Sequence, residues 1–243
     1  MTPANQTIFE ESGHFIVYDE ALVSAPTARL FCPEEWGHNV TPHSEGRGTV
    51  WFIEEGESRW VLKTFQRGGL VGRLVKERYF FLGNRRARMI REFHLLSRLL
   101  QLGLPVPRPV AACARRTGLL SYSGSLITQR LANVRSLASW VSSGEPVEDD
   151  QWRDIGRVIR QFHECDVFHS DLNAANILLD GNSVYLIDFD RGSIKPGRFG
   201  WDWRRANLQR LRRSLNKLSA RGLFDQERTW GLLLVGYEGA KTR

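Results

Sequence analysis

The chain has 243 residues, of which 42% are hydrophobic and 25% are charged, and its formal net charge is +7. This composition is typical of a globular protein and argues against a disordered chain. No apolar run reaches the ~18 residues that span a bilayer, and the first residues show no signal-peptide pattern. Cys32, Cys113 and Cys165 form no CxxC pair, which fits a reduced, cytoplasmic protein and neither a disulfide framework nor a zinc site.

The first half of the chain is predicted to be rich in strands. Segments with many β-branched and aromatic residues lie between turn formers at 14–19, 28–32, 48–56, 58–65 and 125–131. The segments 49–54 and 59–65, joined through EEGES, predict an antiparallel hairpin. A helix is expected near 84–102, because Gly103 and a run of prolines beginning at Pro105 end it.

The pattern changes after a linker around 130–136. The predicted elements are then an amphipathic helix at 152–162, apolar runs at 176–180 and 183–190 joined by a DGN turn, and helices at 208–218 and near 225–238. We therefore predict an α+β fold, with a strand-rich lobe at 1–129 that holds one main helix and a helical lobe at 130–243.

The segment FHSDLNAANILLD, residues 168–180, contains more polar groups than a connection between a helix and a strand requires. In a tight hairpin, Asn176 and Asp188 lie at the same end, and their oxygens suit Mg²⁺. Asp171 is then available to accept a proton from a nucleophilic hydroxyl. The alternative is ordinary turn chemistry, since Asn and Asp are common in turns.

The spacing of His169, Asp171, Asn176 and the triplet Asp188–Asp190 resembles the catalytic and metal-binding loops of the protein-kinase-like superfamily. That resemblance implies a bilobal fold, a lysine on an early strand, a helical carboxylate that holds it and a glycine-containing turn. The corresponding residues are Lys63, Glu92, Gly46 and Gly48. From helix geometry alone, Glu92 can instead be half exposed and paired with a neighbouring arginine.

Three departures from protein kinases are informative. Asn173 replaces the lysine two residues after the catalytic aspartate, and Asp190 replaces the glycine of the metal-binding triplet. Only about a dozen residues separate Asp190 from the next predicted helix, at WDWRRANL, so no extended activation segment fits. These features favour a small or sugar-like acceptor over a peptide.

Seven segments together are similar to the lipopolysaccharide-core kinases of Gram-negative bacteria, and within them to the kinases of 3-deoxy-D-manno-octulosonic acid (Kdo). They are RGGLVGRL, REFHLLSRL, GLPVPRPVAA, LITQRL, FHSDLNAANILLD, LIDFDRG and WDWRRANLQRLRRSLNK. The resemblance implies transfer of the ATP γ-phosphoryl to the 4-hydroxyl of Kdo on a lipid A precursor, at the cytoplasmic face of the inner membrane.

The resemblance also implies roles for individual residues. Asp171 would be the base, Asn176 and Asp188 would hold Mg²⁺, and Lys63, steadied by Glu92, would neutralise the phosphates of ATP. The backbone from Gln129 to Leu131 would contact adenine, and His169 would brace the catalytic loop.

The acceptor is anionic, which offers a reason for the many arginines. Arg67 and Arg191 are candidates to bind its carboxylate or phosphates. The basic faces at 85–91 and 204–213, with nearby Trp201 and Trp203, are candidates to rest on an anionic leaflet. A solvated surface is the alternative for each of these arginines.

Other functions remain open at this point: a heptose kinase of the lipopolysaccharide core, a phosphotransferase for aminoglycosides or choline, and a nucleotide-binding pseudokinase scaffold. Cationic acceptors call for an acidic cleft, which the arginine-rich composition does not favour. A scaffold would not require the complete set of Lys63, Asp171, Asn176 and Asp188. A nucleic-acid partner is not expected, because it explains the charge but not this set of residues.

Overall fold

The structure, a computed structural model, describes residues 6–11, 13–45, 48–65, 87–116, 122–195, 202–219 and 224–239. The chain divides into two units. The first comprises Met1–Gln101 and Pro107–Arg130, and the second comprises Leu102–Val106 and Leu131–Arg243. The lobe boundary between residues 129 and 130 stays a prediction, because Leu102–Val106 precedes it and still groups with the second unit.

The described part of the first unit is built on a seven-stranded antiparallel sheet of order β1-β2-β6-β7-β5-β4-β3. The strands are β1 (Gln6–Glu11), β2 (His14–Asp19), β3 (Val40–Glu45), β4 (Gly48–Glu55), β5 (Ser58–Phe65), β6 (Pro109–Arg116) and β7 (Tyr122–Gln129). The predicted hairpin is confirmed, since β4 and β5 pair with Val50 opposite Lys63.

The main helix of this unit, α1 (Arg88–Gln101), confirms the helix expected near 84–102 over the described residues. It packs against β6, where the alanines Ala111, Ala112 and Ala114 are buried. Small side chains on β6 let the helix approach the sheet closely. Met89, Phe93 and Leu96 of α1 are buried.

Several expectations for this unit were wrong or incomplete. The segment predicted as a strand at 28–32 is a 3₁₀ helix, Ala28–Phe31, because a short apolar run does not distinguish a strand from a buried helical turn. Strand β1 is mostly exposed, β3 contains Pro42 and β6 is rich in alanine, so none of them carries a clear strand pattern. Pro42 is tolerated because β3 lies at the sheet edge.

The second unit contains the helices α2 (Leu137–Ser142), α3 (Asp149–Glu164), α4 (Trp203–Ser219) and α5 (Gln226–Glu238). Its short strands are β8 (Arg135–Ser136), β9 (Val167–Phe168), β10 (Ile177–Leu179), β11 (Val184–Leu186) and β12 (Ser193–Ile194). The described helices and strands confirm the α+β class. Strand β8 lies inside the predicted linker and pairs with β10. Among the described residues, no helix is long and apolar enough to cross a membrane.

The predicted hairpin in this unit is confirmed as β10 and β11, with Ile177 opposite Leu186. Its turn is held by Asp180, whose Oδ1 accepts hydrogen bonds from the backbone N–H groups of Asn182 and Ser183. Farther along β11, the N–H of Leu186 donates to the carbonyl oxygen of Pro105 at 3.1 Å. This bond ties the hairpin to the short segment that groups with the second unit.

Helices α3 and α5 cross at two glycines. A methyl group at Gly156 of α3 would collide with the carbonyl oxygen of Leu233, and one at Gly236 of α5 would collide with that of Arg153. Both obstacles are backbone atoms, so the collision cannot be relieved by a side-chain rotation. The glycines therefore set the distance between these two helices.

We expect Gly236→Ala to lower the free energy of unfolding by about 1–3 kcal/mol, because the helices must separate to admit the methyl group. Gly231→Ala is the matched control on the same helix, where a methyl group would meet no atom within 4 Å. It should raise stability by ~0.5–1 kcal/mol through helix propensity. Urea unfolding of both variants measures the difference, and equal effects would contradict the close approach.

Candidate active site

Two short antiparallel pairings hold the ends of the two loops that carry the predicted catalytic and metal-binding residues. On one side, Ile177 pairs with Leu186, and the N–H of Ile187 donates to the carbonyl oxygen of Asn176 at 3.1 Å. On the other side, Phe168 of β9 pairs with Ser193 of β12. Residues 169–176 and 187–192 therefore face each other between two fixed points, as the sequence predicted for Asn176 and Asp188.

His169 braces the loops from inside. Its side chain is buried, and Nε2 lies 2.9 Å from the carbonyl oxygen of Ile187. Its Nδ1 accepts a hydrogen bond from the backbone N–H of Asp171 at 3.1 Å. Because Nδ1 is an acceptor, Nε2 carries the proton and donates to Ile187. The ring thus joins the two loops, and its nitrogens are occupied by backbone groups.

The side-chain amide of Asn207, on α4, binds the backbone N–H and carbonyl groups of the same histidine. The Asn207 amide donates from Nδ2 to the carbonyl oxygen of His169 at 2.8 Å, and its Oδ1 accepts from the His169 N–H at 3.2 Å. Asn207 is 2% exposed, so both bonds are shielded from water. One side chain therefore replaces the two backbone bonds that a neighbouring strand would supply.

A second histidine packs near Asn207 but is not a candidate base. Burial lowers the pKa of His163 to about 4, with the nearby Asn207 amide opposing the shift. Its Nδ1 lies 2.8 Å from the Tyr237 hydroxyl. The ring is therefore neutral near pH 7 and serves packing.

The two asparagines of the catalytic loop both donate to the carbonyl oxygen of Asp171, from Asn173 at 3.1 Å and from Asn176 at 2.9 Å. Asn173 also accepts at Oδ1 from the N–H groups of Ala175 and Asn176, which caps the 3₁₀ turn Ala174–Asn176. Since Nδ2 of Asn176 is committed to this bond, the orientation of its amide makes Oδ1 the atom that can coordinate a cation.

Asp188 lies two residues past the end of β11, directly after Ile187, which bonds to Asn176, and its φ is 62°. A non-glycine residue in the left-handed region is uncommon and is held there by its surroundings. The next residue, Phe189, is buried and stacks on Phe162 at 5.6 Å between ring centroids. Burial of Phe189 on one side of the chain thus fixes the backbone from which the Asp188 carboxylate projects.

Asp171, the predicted base, is half exposed and accepts a hydrogen bond at Oδ1 from Nη1 of Arg210 at 2.8 Å. Arg210 belongs to α4, one turn after Asn207. Farther along the same helix, the Ser214 hydroxyl accepts from the N–H of Ala174 at 3.2 Å. One side of α4 therefore contacts the catalytic loop at three points.

Sequence reasoning did not assign Asn207, Arg210 or Ser214 to the site. A signal for Asn207 was present, because it lies four residues after Trp203 and four before Leu211, both of which are buried. A polar residue inside an apolar stripe needs a buried partner. The sequence offered no comparable signal for Arg210, which is one of many arginines on this helix.

In the first unit, Lys63 of β5 and Glu92 of α1 form the predicted ion pair, with Nζ 3.5 Å from Oε2. Glu92 is 3% exposed, so the half-exposed alternative is wrong. A buried carboxylate requires a cation, and Lys63 lies on the strand face that also carries Val61 and Phe65. Its ammonium lies 4.8 Å from the centroid of the Phe65 ring.

The structure describes some of the remaining predicted residues and not others. Gly46, Arg67 and Trp201 lie outside the described residues, and Gly48 is the first residue of β4. Arg191 is exposed, with φ of 59°.

At the end of β7, the N–H of Gln129 donates to the carbonyl oxygen of Arg108, and the N–H of Arg130 donates to the carbonyl oxygen of Arg59, both at 2.8 Å. Gln129 and Arg130 also line a cavity of about 420 Å³ with Trp60. Of the N–H groups at 129–131, the one at Leu131 is therefore the candidate donor to adenine.

Within the described residues, no group of three or more His, Cys, Asp or Glu side chains is placed to hold a metal ion. This finding does not bear on a site made of one amide and one carboxylate. Mg²⁺ commonly uses one or two protein ligands and completes its shell with phosphate oxygens and water. Asn176 and Asp188 are a donor set of that kind.

Comparison with known proteins identifies the family. The model of the lipopolysaccharide kinase (Kdo/WaaP) family matches residues 36–237. The chain belongs to this family. A relative named 3-deoxy-D-manno-octulosonic acid kinase from Xanthomonas campestris is 43% identical, covering 84% of this chain and 80% of its own. One of the same name from Vibrio cholerae is 38% identical, covering 86% of this chain and 88% of its own.

A solved member of the Kdo/WaaP family also shares the fold. The structure titled WaaP in complex with acyl carrier protein has a TM-score of 0.55 and 18% identity, and covers 86% of this chain and 85% of its own. At this identity the likeness speaks for the fold alone. It confirms the protein-kinase-like fold expected from the catalytic and metal motifs.

We expect Asn207→Ala to lower the free energy of unfolding by about 2–6 kcal/mol, because it leaves two buried backbone groups of His169 unsatisfied at ~1–3 kcal/mol each. Asn216→Ala is the matched control on an exposed position of the same helix and should change stability by about 0.5 kcal/mol or less. Chemical denaturation tests both. Faster hydrogen exchange at the His169 amide in Asn207→Ala would locate the effect, and a stability equal to that of the control would refute it.

Proposed function

We propose that this chain is an ATP-dependent Kdo kinase, which phosphorylates the 4-hydroxyl of a Kdo residue on a lipid A precursor in lipopolysaccharide core biosynthesis. The observation that carries the proposal is the 38–43% identity to proteins named 3-deoxy-D-manno-octulosonic acid kinase over more than four fifths of the chain. The geometry of the loops at 169–176 and 187–192 supports a phosphotransferase.

The acceptor hydroxyl would attack the γ-phosphorus of ATP. As the new P–O bond forms and the bond to the β-phosphate oxygen breaks, Asp171 would take the proton of the hydroxyl. Arg210 already occupies Oδ1 of Asp171, so Oδ2 would face the acceptor. Most of the rate enhancement would come from positioning and charge neutralisation.

Magnesium fits the residues at the hairpin end. Asn176 turns its amide nitrogen to the Asp171 carbonyl, which directs Oδ1 away from that bond, and Asp188 supplies a carboxylate at the same end. We propose that these two residues hold the ion. When bound, Mg²⁺ would neutralise charge on the phosphates of ATP.

Lys63 would bind the phosphates of ATP. Its partner Glu92 is buried, and because a buried carboxylate requires a cation, the ion pair would hold the lysine in position. Gly46 and Gly48 would let the backbone approach the phosphates. Adenine would contact the segment from Gln129 to Leu131, with the Leu131 N–H as donor.

A sugar acceptor is favoured by the short connection after the metal loop. Asp190 is followed by β12 at Ser193–Ile194, and α4 begins at Trp203. A protein kinase uses a long segment here to dock a peptide, and this chain has no room for one. A heptose acceptor is not favoured, because the relatives quoted are named for Kdo.

The test is transfer of radiolabelled γ-phosphate from ATP to a panel of a Kdo-bearing lipid A precursor, a heptosylated core and an aminoglycoside. We expect labelling of the Kdo acceptor and loss of that labelling when EDTA removes Mg²⁺. Labelling of the heptosylated core alone would identify heptose, and not Kdo, as the acceptor sugar. Labelling of none of the three would favour the scaffold.

The role of Asp171 is tested by Asp171→Ala. We expect kcat to fall by about 10²- to 10⁴-fold, the usual contribution of a general base, while ATP binding measured by calorimetry is unchanged. Asp150→Ala, at an exposed carboxylate on α3, is the control and should retain normal turnover. Near-normal turnover of Asp171→Ala would show that another group is the base.

We further propose that the enzyme binds the cytoplasmic face of the inner membrane. Three basic residues of α4, Arg205, Arg212 and Arg213, are exposed, and 100° per residue places them within about 100° of one another around the helix. This side differs from the one that contacts the catalytic loop. An anionic leaflet attracts such a cluster by about 1 kcal/mol per basic residue near the surface.

Charge reversal at Arg205 and Arg213 should reduce binding to phosphatidylglycerol-containing vesicles by roughly 10-fold or more. The control reverses Arg29 and Arg98, which are also exposed, and changes the net charge equally. Sedimentation with vesicles at low and high salt measures both, since screening weakens the attraction. Equal losses in the two double variants would show that net charge, and not the α4 cluster, governs binding.

A further inference from the structure

Arg210 is the residue of α4 that reaches the side chain of the proposed base. Nη1 donates to Oδ1 of Asp171 at 2.8 Å, and the two side chains are 47% and 54% exposed. An exposed pair of this kind adds little to stability. Its position beside the atom that receives the acceptor proton points instead to a role in the reaction.

The backbone under Arg210 is held in place. Asn207, three residues earlier, binds His169, and Ser214, four residues later, binds Ala174. Both contacts fall on the catalytic loop, on either side of Asp171. Helix α4 therefore presents the guanidinium to Asp171 from a fixed position.

A positive charge is needed at this point. The segment 169–176 contains no lysine or arginine, and Asn173 stands where protein kinases have a lysine. The proposed acceptor is a ulosonic acid, whose carboxylate sits on the same ring as the hydroxyl that is phosphorylated. Placing that hydroxyl on Asp171 brings two carboxylates close together, and like charges at such distances repel each other strongly unless a cation lies nearby.

We infer that Arg210 binds the carboxylate of the acceptor sugar while it remains paired with Asp171. Guanidinium has five N–H donors in a planar fork, and the bond to Asp171 uses one of them. The others suit bidentate recognition of a second carboxylate. Arg210 thereby neutralises the repulsion between base and acceptor and selects an acidic sugar over a neutral one. This inference rests on the proposed function.

The experiment compares two acceptors, a synthetic Kdo glycolipid with a free carboxylate and the same glycolipid as its C1 carboxamide. The amide keeps the size of the acid and removes its charge. We expect the unaltered enzyme to prefer the acid by about 10- to 100-fold in kcat/KM, the range for a charged hydrogen-bonded pair. The difference should fall mainly in KM, because the carboxylate is bound before and during transfer.

Arg210→Gln should abolish this preference, so that its kcat/KM for the acid falls to about its value for the amide. Arg210→Lys, which keeps the charge without the fork, should retain part of it. Arg157→Gln is the matched control, since Arg157 is an exposed arginine of α3 paired with Asp154, and it should keep the full preference. The variant and the carboxamide should not have additive effects, which is the signature of a direct contact.

Two results would overturn the inference. An equal loss on both acceptors in Arg210→Gln, appearing in kcat, would show that Arg210 only positions Asp171. No preference for the acid in the unaltered enzyme would show that the carboxylate is not recognised. A failure of the proposed function looks different, because the unaltered enzyme would then phosphorylate neither glycolipid, and the role of Arg210 would be rejected with it.

Discussion

The arrangement of the candidate site depends on two hydrogen bonds between the amide of Asn207 and the peptide groups of His169. Once His169 is held, its ring can join the backbone of Asp171 to that of Ile187. The loop with the proposed base and the loop with Asp188 are then tied together. The two bonds of Asn207 are buried, where an unmade bond is costly.

The short connection after Asp190 explains why the residue that holds His169 comes from α4. With little chain between the metal loop and α4, the helix lies against the catalytic loop and contributes Asn207, Arg210 and Ser214 to it. The helix thus performs three tasks with different sides: apolar residues such as Leu211 and Leu215 are buried, polar residues hold the loop, and basic residues face solvent. The helix itself therefore orders the loop at 169–176.

The pairing of the loops at 169–176 and 187–192 was predictable from sequence because it depends on local spacing. His169 to Asn176 is a single segment, and the return to Asp188 is a tight hairpin whose length limits the possible geometries. Lys63 was predictable from strand alternation, and the burial of Glu92 from its place among apolar residues of α1. Each of these inferences relied on contacts between neighbours in the chain or on one simple pairing.

The features that were missed depend on distant contacts. Arg210 and Asp171 are 39 residues apart in the chain, and nothing local distinguishes this arginine from others on α4. The edge strands β1 and β3 form because a neighbouring strand offers its backbone, whatever their own side chains prefer. The error at 28–32 has a local origin, since a short apolar run with a buried Phe31 fits a strand and a helical turn equally well.

The segment Leu102–Val106 limits where the chain can be divided into separate units. It lies between α1 and β6, both in the first unit, but it groups with the second unit and bonds to Leu186 through Pro105. The chain therefore enters the second unit, leaves it and returns. A cut at residue 130 would separate β11 from a backbone partner that is encoded before the cut. The two units are thus not interchangeable modules, and a fusion or domain exchange at that boundary would have to carry this short segment along.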